Sequence, residues 1–94
     1  MIYSKSFKYI INPEKLKGFI DYLYIFTQKV RMQETNLSFE YGLEGKDKIV
    51  ILQRWSTRND YEQFIKQPEF DNELKTLEKM AKKTEILFDL DLER

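Results

Sequence analysis

The sequence contains no cysteine and no histidine among its 94 residues. Without cysteine there is no disulfide framework and no thiolate chemistry. Without histidine as well, a structural zinc site or an imidazole-ligated haem is effectively excluded. Three glycines and two prolines leave little material for long disordered linkers. Charge of one sign is not in excess either, because lysine plus arginine and aspartate plus glutamate count sixteen each. Nucleic-acid binding leaves a basic excess as its footprint, so no nucleic-acid partner is expected. No run of about 18 apolar residues occurs, so no transmembrane helix is expected. The opening MIYSKSFKYII lacks the charged, apolar and small-residue regions of a signal peptide. The expectation is a soluble cytoplasmic protein with no metal, no cofactor and no membrane attachment.

Aromatic residues are what the chain has in quantity, with seven Phe, six Tyr and one Trp. Each can bury about 150–250 Å², which serves both small cores and interfaces. That matters because residues 1–94 suit one domain, and a domain this small buries a modest fraction of its surface.

Residues Tyr3 to Ile11 are rich in aromatic and β-branched types. Phe7, Tyr9 and Ile11 alternate with Ser6, Lys8 and Ile10, a strand with one better buried face. Asn12-Pro13-Glu14 stops it and starts a helix, Asn serving as N-cap and Pro as first helical residue. From Pro13 to about Gln33, Leu16, Phe19, Ile20, Leu23, Phe26 and Val30 form one stripe at three- and four-residue steps. Tyr22, Tyr24 and Ile25 lie off its centre, so the helix is expected to be covered on more than one side.

Asn36 to Leu43 reads as a second strand, Gly45-Lys46-Asp47 as a turn and Asp47 to Trp55 as a third strand. KIVILQRW is apolar on both faces at its centre, as interior strands are. Thr57 with Asp60 resembles a helix start, and the short helix after it carries Tyr61, Phe64 and Ile65. Gln67-Pro68 ends that helix, because the residue before proline disfavours helical geometry. Phe70, Leu74, Leu77 and Met80 mark a further helix. Thr84 to Leu92 is a last strand, with Ile86, Phe88, Leu90 and Leu92 on one face and Asp89 and Asp91 on the wet one. The order β-α-β-β-α-α-β implies an α+β, ferredoxin-like fold with a four-stranded antiparallel sheet. Helices cover one face of such a sheet, and the other face needs a partner; the expected partner is a second copy.

The stretch Glu34 to Phe70 resembles the antibiotic biosynthesis monooxygenase family. Members commonly enter the second strand with a Glu-Gly-Asn-x-Ser-Tyr-Glu-like segment; here it is Glu34-Thr35-Asn36-Leu37-Ser38-Phe39-Glu40. Their third strand often ends Glu-x-Trp, here Gln53-Arg54-Trp55, and a Ser-Pro-x-Phe-like end matches Gln67-Pro68-Glu69-Phe70. The resemblance implies a homodimer whose two sheets pack into an α/β barrel, with a pocket in each subunit between sheet and helices. It implies three kinds of relative: cofactor-free oxygenases of quinone-like compounds, haem-degrading enzymes and enzymes acting on small signalling molecules. In many members a histidine stands where Phe64 stands here. In the haem-degrading branch the reactive Asn, Trp and His align with Phe7, Phe64 and Leu74. Phenylalanine cannot hydrogen-bond bound oxygen and leucine cannot ligate iron, so haem degradation by that route is not expected.

Phe7, Tyr24, Tyr41, Trp55, Phe64 and Leu74 are the expected pocket-lining residues. Trp55 is more simply read as a core residue, with its N–H satisfied at the rim. Tyrosines are the polar handles that remain, and Tyr9 and Tyr61 are the catalytic candidates. Tyr9 shares strand parity with Phe7, and Tyr61 lies three residues from Phe64 on one helix face. A tyrosine can donate to a phenol or quinone oxygen, or transfer a proton if its pKa falls. Asn36 and Ser38 are candidate substrate contacts, although Asn36 better suits backbone contacts at the strand entrance. Asp89 and Asp91 suit a solvated strand face more simply than acid–base work. Lys79 to Lys83 suits a solvated helix end. Two functions compete. One is a cofactor-independent monooxygenase acting on a small aromatic or conjugated substrate. The other is a non-catalytic dimer that binds a small ligand or serves as a scaffold. The same topology suits an RNA-recognition domain, but KIVILQRW lacks that domain's glycine-aromatic pattern.

Overall fold

The computed structural model describes Met1 to Glu93. Its strands are β1 (Ile2–Ile10), β2 (Asn36–Glu44), β3 (Lys48–Trp55) and β4 (Lys83–Leu92). Its helices are α1 (Leu16–Arg31), α2 (Arg58–Lys66) and α3 (Pro68–Met80). The strands form one antiparallel sheet in the order β2-β3-β1-β4, so the fold is α+β and ferredoxin-like, with the interior position of β3 that its two apolar faces require.

Local chemistry sets the element ends. The Asn12 side chain accepts from the Glu14 N–H, and Pro13–Lys15 forms a 3-10 turn before α1. The α-helix therefore starts at Leu16 and not at Pro13. Thr57 Oγ1 accepts from the Asp60 N–H at 3.1 Å and donates to the Asp60 carboxylate at 2.9 Å, which caps α2 as Thr-x-x-Asp spacing anticipates. Gln67 sits in extended geometry between α2 and α3, held there by Pro68. Gly45 adopts φ +70° in the β2–β3 turn, a conformation glycine accepts without a Cβ clash.

All three helices carry buried residues into a core on one sheet face. Phe19, Leu23, Phe26 and Val30 of α1 meet Tyr9, Ile49 and Ile51 of the sheet and Phe64, Phe70 and Leu77 of α2 and α3. Tyr24 and Ile25, on the far side of α1, stay exposed. The opposite sheet face carries Ile2, Leu52 and Leu90 exposed, with Phe88 and Leu92 half-buried.

The last strand departs from plain alternation. Ser6 pairs with Phe88 but Phe7 pairs with Ile86, so Leu87 is an extra residue in a β-bulge. The bulge puts Ile86 on the helix side together with Asp89 and Asp91, while Phe88, Leu90 and Leu92 point outward. The expected grouping of Ile86 with Phe88, Leu90 and Leu92 is corrected accordingly. The two aspartates are not bare in solvent. Arg58 donates to Asp89 at 2.7 Å and to Asp91 at 3.1 and 3.2 Å, and lies 4.5 Å from the centroid of the Tyr3 ring.

Candidate active-site cavity

Alternation along β1 aims Lys5, Phe7 and Tyr9 at the helices, since residues two apart share a face. Between this strip, α2, α3 and β4 lies a cavity of about 140 Å³. Tyr61 closes it from α2; Leu74 and Glu78, one helical turn apart, come from α3; Thr84 and Ile86 come from β4. Tyr9, Phe7 and Tyr61 are buried and form the floor, whereas Glu78, Thr84 and Ile86 are exposed and form the rim.

The cavity is polar at its ends and apolar between them. At one end the Lys5 Nζ stands 5.1 Å from the centroid of the Tyr61 ring, a cation–π geometry. At the other are Tyr9, Thr84 and Glu78. Phe7, Leu74 and Ile86 fill the middle. Burial, reinforced by the nearby Glu78 carboxylate and the neighbouring Tyr61 phenol, raises the Tyr9 pKa well above the ordinary phenol value. Tyr9 is thus a neutral hydrogen-bond donor at physiological pH and not a base.

Of the six residues expected to line the pocket, Phe7 and Leu74 lie at this cavity. Phe64 and Trp55 are packed behind Tyr61. Their rings stand 4.6 Å apart, Trp55 is 6.0 Å from Tyr61, and Phe64 is 4.6 Å from Phe70. The Trp55 indole N–H donates to Gln53 Oε1 at 2.9 Å, both residues being buried. Tyr41 belongs to β2, two strands away from β1 in the sheet, and Tyr24 is 57 % exposed on the outer side of α1. Neither lines the cavity, because β4 and not β2 borders it. The two catalytic candidates, Tyr9 and Tyr61, both do. Asn36 Nδ2 donates to the backbone carbonyls of Ser38 and Arg54, which occupies it at the β2 irregularity. The sequence reading passed over Lys5 and Glu78. Their signal was present, in the i, i+2, i+4 run Lys5-Phe7-Tyr9 and in the one-turn step from Leu74 to Glu78. Among the described residues, no cluster of three or more Asp or Glu side chains suits a metal ion, and no helix is long and apolar enough to cross a membrane.

A four-stranded ferredoxin-like sheet with a cavity under its helices defines a class of small α+β proteins. Within that class, the model of the antibiotic biosynthesis monooxygenase family matches residues 3–73, and the chain belongs to that family. The matched segment ends before Leu74, so half of the cavity wall lies beyond it. Solved structures share the fold. A conserved protein from Methanosarcina mazei superposes with TM-score 0.89 at 18% identity, covering 99% of this chain and 94% of the other. An antibiotic biosynthesis monooxygenase gives 0.84 at 14% identity, with both chains fully covered at 100%. A point mutant of SnoaB, a cofactor-independent oxygenase from Streptomyces nogalater, gives 0.84 at 11% identity over 99% of this chain and 94% of the other. No curated protein matches the chain by sequence.

Proposed function

We propose that residues 1–94 form one domain of a homodimeric, cofactor-independent monooxygenase that acts on a small aromatic or conjugated substrate in this cavity. The observation that carries the reading is the cavity itself, apolar in the middle and bordered by a neutral tyrosine and a carboxylate, in a chain of this family. Its size argues for a single ring, because an apolar cavity of about 150 Å³ admits benzene.

In such chemistry the substrate supplies the electrons. The phenol oxygen loses its proton, and the phenolate, electron-rich at the opposite ring carbon, passes an electron to dioxygen; the proton on that carbon leaves only later, with water. The radical pair then combines into a hydroperoxide. Loss of water from it leaves a new carbonyl. For a phenol the balance is C₆H₆O + O₂ → C₆H₄O₂ + H₂O. Glu78 is suited to accept the ring proton, and Tyr9 to donate to oxygen as negative charge develops. A positioned acid or base contributes about 10²–10⁴-fold.

The dimer reading is supported by the outward sheet face. Leu52 is 50 % exposed and Leu90 47 %, and apolar area of this kind on a sheet favours a partner. The activity is tested by oxygen uptake with a panel of single-ring phenols and hydroquinones in the presence of a chelator. The expected result is uptake with one atom of ¹⁸O₂ retained in the product, falling at least about tenfold in Glu78→Gln. Tight binding without uptake would replace the oxygenase with the ligand-binding reading.

A further inference from the structure

Among the described residues, Lys5 is a cation without a carboxylate ion-pair partner, at the edge of an apolar cavity. It is half-buried, and among the described residues it forms no ion pair, although seven other basic residues are so engaged at other sites. Its cross-strand neighbour on β4 is Asp89, but that carboxylate is taken by Arg58 at 2.7 Å. From α2 the face of Tyr61 lies beneath the ammonium, and from α3 Glu78 stands at the opposite end, beside Tyr9 and Thr84. Asp89 feels the Lys5 charge without forming an ion pair with it, so the neighbours hold the positive charge in place and compensate it only in part.

We infer that the cavity takes its ring ligand as an oxyanion, with a phenolate or enolate oxygen against Lys5 and the ring between Phe7, Leu74 and Ile86. Glu78 at the other end repels a second anionic group and favours a hydrogen-bond donor or a proton to be lost there. Lys5 thereby sets both ionisation and orientation. The oxygen pointing to Lys5 leaves the opposite ring carbon toward Glu78. The inference rests on the cavity described above, but binding and ionisation do not require oxygenation.

4-Nitrophenol is a suitable probe, because its anion is yellow and its neutral form is not. Bound to the wild-type protein, its apparent pKa is expected to fall by about one unit, a tenfold gain in ionisation that a single nearby ammonium readily supplies in a half-buried site. Lys5→Met is expected to abolish the fall and to weaken nitrophenolate binding about tenfold, while nitrobenzene, which has no charge, binds both proteins alike. Lys5→Arg restores the shift. Circular dichroism of each variant reports folding independently. No binding of 4-nitrophenol, an unchanged or raised pKa in the wild type, or an equal fall in Lys5→Met overturns the inference. Oxygen uptake without anion preference removes this inference and leaves the oxygenase; anion preference without uptake does the reverse.

Discussion

Trp55 and Gln53 act as one unit. The indole N–H and the amide oxygen meet at 2.9 Å in a buried site, and each satisfies a group that would otherwise be stranded. Trp55→Phe removes ring volume and leaves that oxygen unpaired, so it is expected to cost about 2–4 kcal/mol in urea unfolding. Adding Gln53→Leu to it removes the stranded acceptor and is expected to recover part of the loss, whereas Gln53→Leu alone strands the indole N–H. An additive double mutant would mean that the hydrogen bond contributes nothing. At this scale the sequence was partly transparent. Strand parity reveals that Phe7 and Tyr9 share a face, and equally that Lys5 joins them. It does not reveal which edge of the sheet carries the cavity. The order β2-β3-β1-β4 decides that, and it leaves Tyr24 and Tyr41 on the far side. Trp55 and Phe64 carry the right residue types for a pocket wall, yet Tyr61 stands in front of them, which depends on how α2 is laid against the sheet.

Arg58 ties the first turn of α2 to β4 through Asp89 and Asp91 while covering the Tyr3 ring. Burial alone would raise the Asp89 pKa, but hydrogen bonds from Arg58 and Tyr3 outweigh it, and the carboxyl ends below its ordinary value of 3.8. A carboxyl whose folded pKa is depressed stabilises the fold above its unfolded value, and loses that contribution as pH falls through the folded one. Asp89→Asn is therefore expected to lower the urea midpoint at neutral pH and to flatten its decline between about pH 5 and pH 2. Parallel wild-type and variant curves across that range would refute the assignment. Element boundaries here were largely legible, because Asn12, Thr57 and Pro68 announce themselves by cap and proline chemistry. The β4 bulge was not. Alternation of Ile86, Phe88, Leu90 and Leu92 fits an unbroken strand as well as a broken one, and only the pairing to β1 shows the slip.

For the molecule as a whole, the two sheet faces have opposite fates. One is sealed by three helices, and the other presents Ile2, Leu52 and Leu90 to solvent. If two copies join through that face, Leu52→Glu puts two carboxylates into the shared surface. Sedimentation velocity at micromolar concentration is then expected to show a dimer for the wild type and a single chain for the variant; a wild-type monomer would end the dimer reading. The topology was readable from the order of elements and their periodicity, since helix and strand patterns differ along the whole chain. Leu87 carries a consequence for that topology. The one surplus residue works as an inversion point, so that a single strand serves two clients of opposite taste. Force Leu87 into the ladder opposite Ser6, and every side chain from Phe88 onward trades sides. The aspartates would leave their arginine for the oily surface, and the leucines would be driven under α2.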